Sequence, residues 1–170
     1  ELRYLPLFDT RVYQKFNDAP SINSTGNWGE GAKVRDIISN MPVVRSAIQA
    51  KALSESGDVQ YEQTDYLYRG MKSQAGGRGS LGFAEVESTQ HSTGMITTQY
   101  FRQDHPFESR LYKREVRHNS DADNNLISQM EITDWWQLAF TGTAGNADAG
   151  TYVAPKTTTT TQYYANVPTG

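Results

Sequence analysis

Residues 76–107 read GGRGSLGFAEVESTQHSTGMITTQYFRQDHPF, and this stretch decides how the chain folds. It divides into a glycine hinge, a strand over 80–89, a turn at His91-Ser92-Thr93-Gly94, a return strand over 95–103 and a stop at Asp104-His105-Pro106. Two β-rich runs joined by a few residues ending in Gly make a hairpin, because Gly supplies the positive φ that such a loop needs. Pro106 has no N–H to give to a central ladder, and it restricts His105 to extended backbone. The rest of the chain reads as further strands laid beside this hairpin.

Upstream, residues 59–69 (VQYEQTDYLYR) form a tyrosine-rich strand whose interleaved polar residues suit an outer sheet face. Over residues 41–54, Val44, Ile48, Ala50 and Ala52 share one parity against Arg45, Gln49 and Lys51, the period of a strand with one wet face. A helix over 46–53 is the rival; the turn at Glu55-Ser56-Gly57-Asp58, leading into 59–69, favours the strand. Residues 33–40 read equally as a short strand or one helical turn. Residues 17–31 collect Asn, Ser, Gly and Pro and form a loop, in which Trp28 is either a buried anchor or a stacking surface. Residues 2–16 offer two short aromatic strands interrupted by Pro6 and by Asp9-Thr10.

Downstream, 110–117 alternates again. The most regular segment is 126–140, with Leu126, Met130, Ile132, Trp136, Leu138 and Phe140 on one expected buried face. Trp135 then points the other way, partly exposed or covered by a neighbouring element. Residues 141–150 are a small-residue loop, and 151–165 a last strand with five consecutive threonines, which Pro155 places at an edge or a bulge. The fold class is therefore mainly β: an antiparallel meander or partial sandwich of seven to nine strands, in one β-rich domain over 1–170.

The net charge is -3, and the basic residues are scattered, so nothing favours nucleic acid. No apolar run is long enough to cross a bilayer as a helix. The absence of cysteine excludes a disulfide framework and a thiolate metal site. A chain that opens on Glu1 and closes on Pro168-Thr169-Gly170 reads as a piece of a longer polypeptide.

The candidate chemical constellations are thin. Gly76-Gly77-Arg78-Gly79 matches neither phosphate-loop pattern, and no helix start follows it. His91, His105 and His118 lack zinc-pair spacing, and Asp104-His105 are neighbours that point to opposite faces of extended backbone. Asp121, Asp123 and Asn125 resemble the start of a calcium loop, but Leu126 replaces the required Gly and Ile132 the bidentate acid. Glu85 and Glu87 share a face, and Glu131 and Asp134 lie near the Trp pair, without the marks of a glycosidase pair. No cofactor and no catalysis are expected. Trp28, Trp135 and exposed tyrosines keep open a carbohydrate- or receptor-binding module of a secreted or surface protein.

The motifs from residue 66 onward resemble the mid-region of SpvB-like proteins and of the B components of bacterial insecticidal toxin complexes, relatives of the Rhs/YD-repeat toxins. The shared pattern is a tyrosine strand (Tyr66, Tyr68), a GRG-x-LGF corner (Arg78, Gly79, Leu81, Gly82, Phe83) and a TG turn (Thr93, Gly94). It continues with a Thr/Tyr strand (Thr97, Thr98, Tyr100) and a Q-D-x-P-F stop (Gln103, Asp104, Pro106, Phe107). Upstream the likeness extends loosely through Tyr4, Val12-Tyr13 and Met41-Pro42-Val43-Val44, and it fades after Arg117. It implies one panel of a β-sheet shell around a separate effector domain, a structural role whose partners are other segments of the same polypeptide or toxin-complex subunits. It also implies a secreted or cell-surface setting. YD repeats, propeller repeats and an effector domain are absent from the sequence.

Overall fold

Side-chain alternation of period two, with β-branched and aromatic residues at the inward positions, puts most of the chain into extended backbone. The computed structural model describes residues 1–16, 34–53, 57–74, 79–119, 126–139 and 151–163. Trp28 with the 17–31 loop, Arg78, the Asp121/Asp123/Asn125 group and the 141–150 loop lie outside these. The described strands are β1 (Leu2–Pro6), β2 (Tyr13–Gln14), β3 (Val34–Asp36), β4 (Pro42–Leu53), β5 (Val59–Arg69) and β6 (Lys72–Gln74). They continue with β7 (Gly79–Gly82), β8 (Glu85–Gln90), β9 (Met95–Phe101), β10 (Leu111–His118), β11 (Leu126–Ala139) and β12 (Thr151–Gln162). No helix occurs among the described residues.

Two open sheets result. Nine strands form the larger, in the order β1-β4-β5-β8-β9-β10-β11-β12, with β2 paired to β5; β3-β6-β7 form the smaller. Neighbours are antiparallel except for the short parallel β2–β5 pair. From β8 to β12 the sheet is a plain meander. Before that, the chain leaves the large sheet twice to build the small one.

The first strand of the central hairpin therefore differs from expectation. The run 80–89 is not one strand: it breaks at Phe83-Ala84, so that β7 belongs to the small sheet and β8 to the large one. Gly82 makes the break with φ +78°, a left-handed conformation that an L side chain resists. The return strand stops at Phe101, because Gln103 is needed elsewhere. The 91–94 turn stands as read, with Gly94 at φ +66°. Of the two readings of residues 33–40, the strand is the one found, as β3 over Val34–Asp36, and a further short strand, β6, follows Gly70.

Bulges overturn two readings of parity. On β4 the buried residues among those described are Val43 and Ser46, while Val44 and Ile48 are half-buried and Ala50 is exposed. The β1 register skips Arg45 (Arg3 faces Ser46, Tyr4 faces Val44), so one extra residue reverses the faces. On β11 the ladder with β12 shifts on both sides of Asp134. Trp136, expected inside, is 61% exposed, while Trp135 is half-buried under the 102–107 segment. Pro155 lies on the terminal strand β12 beside that irregularity, as expected for a residue without an N–H.

The apolar core sits where the chain changes sheets. Leu7, Val12, Tyr13, Val43 and Met71 are buried together, with Leu5, Ile37, Tyr68 and Phe83 packed around them. Each such aliphatic side chain is worth about 1.5–3 kcal/mol of burial. The Tyr13 hydroxyl accepts the Met71 N–H at 3.1 Å, which leaves that buried donor satisfied. Tyr13 and Tyr68 flank the Phe83 ring, with centroids at 6.4 and 4.8 Å. Beyond this corner the sheet thins: across β9–β12, Val153 is the one buried hydrophobic side chain among those described.

Candidate functional site

Among the described residues, Gly79, Leu81, Gly82 and Phe83 of the GRG-x-LGF motif and those of the Q-D-x-P-F motif come together in space. Where β5 gives way to β6 and β7 to β8, Gly70 (φ +62°) and Gly82 (φ +78°) turn the backbone through the left-handed region. Turns of this kind leave carbonyls pointing away from either ladder. Gln103, only 6% exposed, answers both: its Nε2 donates to the Gly70 carbonyl at 2.7 Å and to the Gly82 carbonyl at 2.8 Å. One primary amide thus uses its two N–H bonds to tie together the two points at which the chain switches sheets. A Cβ on Gly82 would lie 2.5 Å from Ser109 Oγ, and one on Gly70 would lie 2.5 Å from the Phe16 ring, so neither corner has room for a side chain. Ser109 itself has φ +58°, and its hydroxyl donates to the Leu81 carbonyl at 3.4 Å. Leu81 is 1% exposed and Phe107 9%. Gly79 opens β7.

The 102–110 connection is fixed from within. Arg102 N–H donates to the Arg110 carbonyl, and Ser109 N–H to the Arg102 carbonyl, each at 2.8 Å. Phe107 N–H reaches the Asp104 carbonyl at 2.7 Å across Pro106, whose bond to His105 is cis. The Arg102 guanidinium pairs with the Asp104 carboxylate and lies 3.6 Å from the centre of the Phe107 ring. Trp135 meets the same ring edge-on at 5.3 Å. A cation held between a carboxylate and two aromatic faces is a stable packing unit. It covers one side of Trp135.

The carboxylates are held by cations. Glu85 and Glu87 both pair with Arg69, Glu87 at 3.1 Å. Glu115, 5% exposed, lies between Lys113 at 2.7 Å and Arg117 at 2.8 Å and accepts from the Tyr100 hydroxyl at 3.2 Å. Burial alone would raise its proton affinity; the two cations outweigh that and hold the carboxyl below its ordinary value. Burial, then the charges of Glu115 and Glu85, push the Tyr100 phenol up to about 12. Glu62, on β5, accepts from the Ser92 N–H at 3.3 Å and from the Ser92 hydroxyl, which with Lys51 lowers its carboxyl and anchors the hairpin turn. Asp134 is lowered by Lys156 at 2.6 Å. A glycosidase acid needs the opposite displacement.

A shallow depression of about 220 Å³ lies over β4, β5 and β8, lined by Arg11, Arg45, Asp65, Tyr66, Glu87 and His91. Its charges are already matched: Asp65 Oδ2 lies 3.1 Å from both Arg45 Nη1 and His91 Nε2, and Arg11 pairs with Asp9 at 2.6 Å. His105 Nδ1 faces Glu108 at 3.0 Å while Asp104 faces Arg102, so the adjacent Asp and His form no dyad. No group of three metal-ligating side chains occurs among the described residues. No described helix is long and apolar enough to cross a membrane.

Two participants escaped sequence reasoning. Gly70 gave only a general loop signal, and Ser109 none. Both act through partners at least twenty residues away in the chain. Comparison with known proteins adds no assignment: no family model, no curated protein and no solved structure matches the chain.

Proposed function

We propose that the chain is a non-catalytic structural panel of a large secreted or surface bacterial protein of the SpvB/Rhs-like kind, contributing to a β-sheet shell that encloses or presents a separate effector domain. The observation that carries this reading is the corner itself. The residues that bear the resemblance are spent on joining one sheet to another through Gln103, with Leu81 and Phe107 packed inside. The ion pairs support it, since they neutralise one another along strands and do not converge on a cleft. A meander with little apolar burial from β9 to β12 suits a wall completed by neighbouring segments. Cryo-electron microscopy of the full polypeptide that carries the chain tests this. The expected map shows further strands closing the sheet around an enclosed domain; a sheet standing alone on a tether would overturn the reading.

One observation favours a carbohydrate- or receptor-binding module as a second reading. Trp136 and Tyr152 are 61% and 59% exposed. Register places both on one face, since Trp136 faces Ala154 and Leu138 faces Tyr152. Aromatic planes bordered by Asp134 and Lys156 fit the apolar and hydroxyl sides of a sugar. Saturable binding on a glycan array, lost in Trp136→Ala, is the expected signature. Trp135→Ala is not the informative variant, because Arg102 and Phe107 already pack against that ring.

A further inference from the structure

The outer edge of β12 is a row of backbone groups that the described chain does not pair. β12 ends the large sheet, and Thr157 to Thr161 are all exposed. Strand edges in soluble proteins are usually blunted by charge, proline or shortness. At the opposite border, β1 has five residues that include Arg3 and Pro6, with Glu1 beside them. β12 is blunted at one end alone, by Pro155 and by Lys156, which is held by Asp134 at 2.6 Å. The five threonines that follow carry neither charge nor proline.

The direction of the free groups can be worked out. Tyr163 N–H donates to the Ile127 carbonyl at 2.7 Å, and the register continues with Gln129 facing Thr161 and Glu131 facing Thr159. In an antiparallel ladder alternate residues turn their N–H and C=O to the same neighbour. Thr161 and Thr159 therefore bond inward to β11, while Thr160 and Thr158 present theirs outward.

We infer that this edge pairs with the same edge of a second copy, β12 antiparallel to β12 and centred on Thr159. The run of threonines reads the same from both ends, so a two-fold axis at Thr159 sets Thr158 opposite Thr160, both with outward groups, and Thr159 opposite itself. Thr–Thr is a favourable cross-strand pair. Lys156 then falls opposite Gln162, and Pro155 opposite the 45% exposed ring of Tyr163, so no like charges meet. The contact is isologous and closes as a dimer. This does not rest on the panel reading, and the two part in the test: a strand from another segment found on β12 would overturn the pairing and leave the panel in place.

The test uses the absence of cysteine. A single Thr159→Cys on the two-fold axis sits at a non-hydrogen-bonded pair, a separation that a disulfide spans, whereas Thr158→Cys faces Thr160. In oxidising buffer T159C is expected to cross-link at least about tenfold faster than T158C. Thr160→Pro deletes an outward N–H without touching the β11 ladder, so T159C/T160P is expected to lose the cross-link and keep its circular dichroism. Should that variant misfold, T158K/T160K in the T159C background sets Lys opposite Lys and reports the same contact. Equal rates for T159C and T158C, or a cross-link that survives the edge-blocking change in a folded chain, would overturn the inference.

Discussion

Replacing Gln103 by Leu takes one donor from each of the Gly70 and Gly82 carbonyls; Gly70 keeps the Ala84 N–H at 3.2 Å. The weakened corner is expected to cost about 1–3 kcal/mol in urea denaturation followed by circular dichroism. Gln103→Glu makes a sharper case. A carboxylate set against two carbonyl oxygens repels both, so the folded state raises the pKa of that group above its unfolded value. The variant is therefore expected to be weakest at neutral pH and to regain stability as pH falls through the raised value. Gly82→Ala puts a Cβ at φ +78° and 2.5 Å from Ser109 Oγ, a change expected to cost about 1–3 kcal/mol. Ser109→Gly in that background is expected to recover part of the loss, which a double-mutant cycle would read as coupling.

At the scale of the strand, β10 carries the best-defined electrostatic unit. With Lys113 and Arg117 holding the buried Glu115 below its ordinary value, the stabilisation is fully present above the unfolded carboxyl value and is lost as pH falls through the folded one. Glu115→Gln is thus expected to be less stable than wild type by about 1–2 kcal/mol at neutral pH, with the difference vanishing in acid. Strands themselves were largely legible, because Tyr, Thr and Val at period two and the glycines at 57 and 94 act locally. Faces were legible only until the first bulge. An extra residue at Arg45 or around Asp134 has no compositional mark, yet it reverses every side chain beyond it. For the same reason Trp136 stands exposed where burial was expected, while Trp135 is covered by a neighbouring segment, one of the two environments expected for it. The split of 80–89 into β7 and β8 was hidden because the residues on either side are equally good strand formers; only Gly82 hints at it.

For the whole molecule, stability is concentrated at one end of the large sheet. The buried cluster of Leu7, Val12, Tyr13, Val43 and Met71 lies at β1, β2, β4 and the β5–β6 junction, and the Gln103 corner ties that junction to the one between β7 and β8, while the strands β9–β12 themselves hold little buried apolar surface. Native-state hydrogen exchange is expected to show the slowest amides at Tyr68, Gly70 and Ala84, which bond across the corner, and progressively faster exchange from β10 to β12. Uniform protection across the sheet would contradict this gradient. The motifs singled out in the sequence do meet at one place, but their geometry was not legible, because Gln103 bonds to residues 33 and 21 positions earlier. Periodicity registers neighbours within a strand and is silent about such long reaches.

That reach has a consequence for biosynthesis. A ribosome releases Gly70 and Gly82 well before Gln103, so the two corners emerge with their carbonyls solvated and the small sheet without its fastener. Polypeptides arrested with the 79–84 junction outside the exit tunnel and residue 103 still inside it are expected to be cut by protease at that junction. Those arrested once the 102–110 connection has cleared the exit tunnel are expected to resist, with Gln103 acting as a latch that snaps shut from behind.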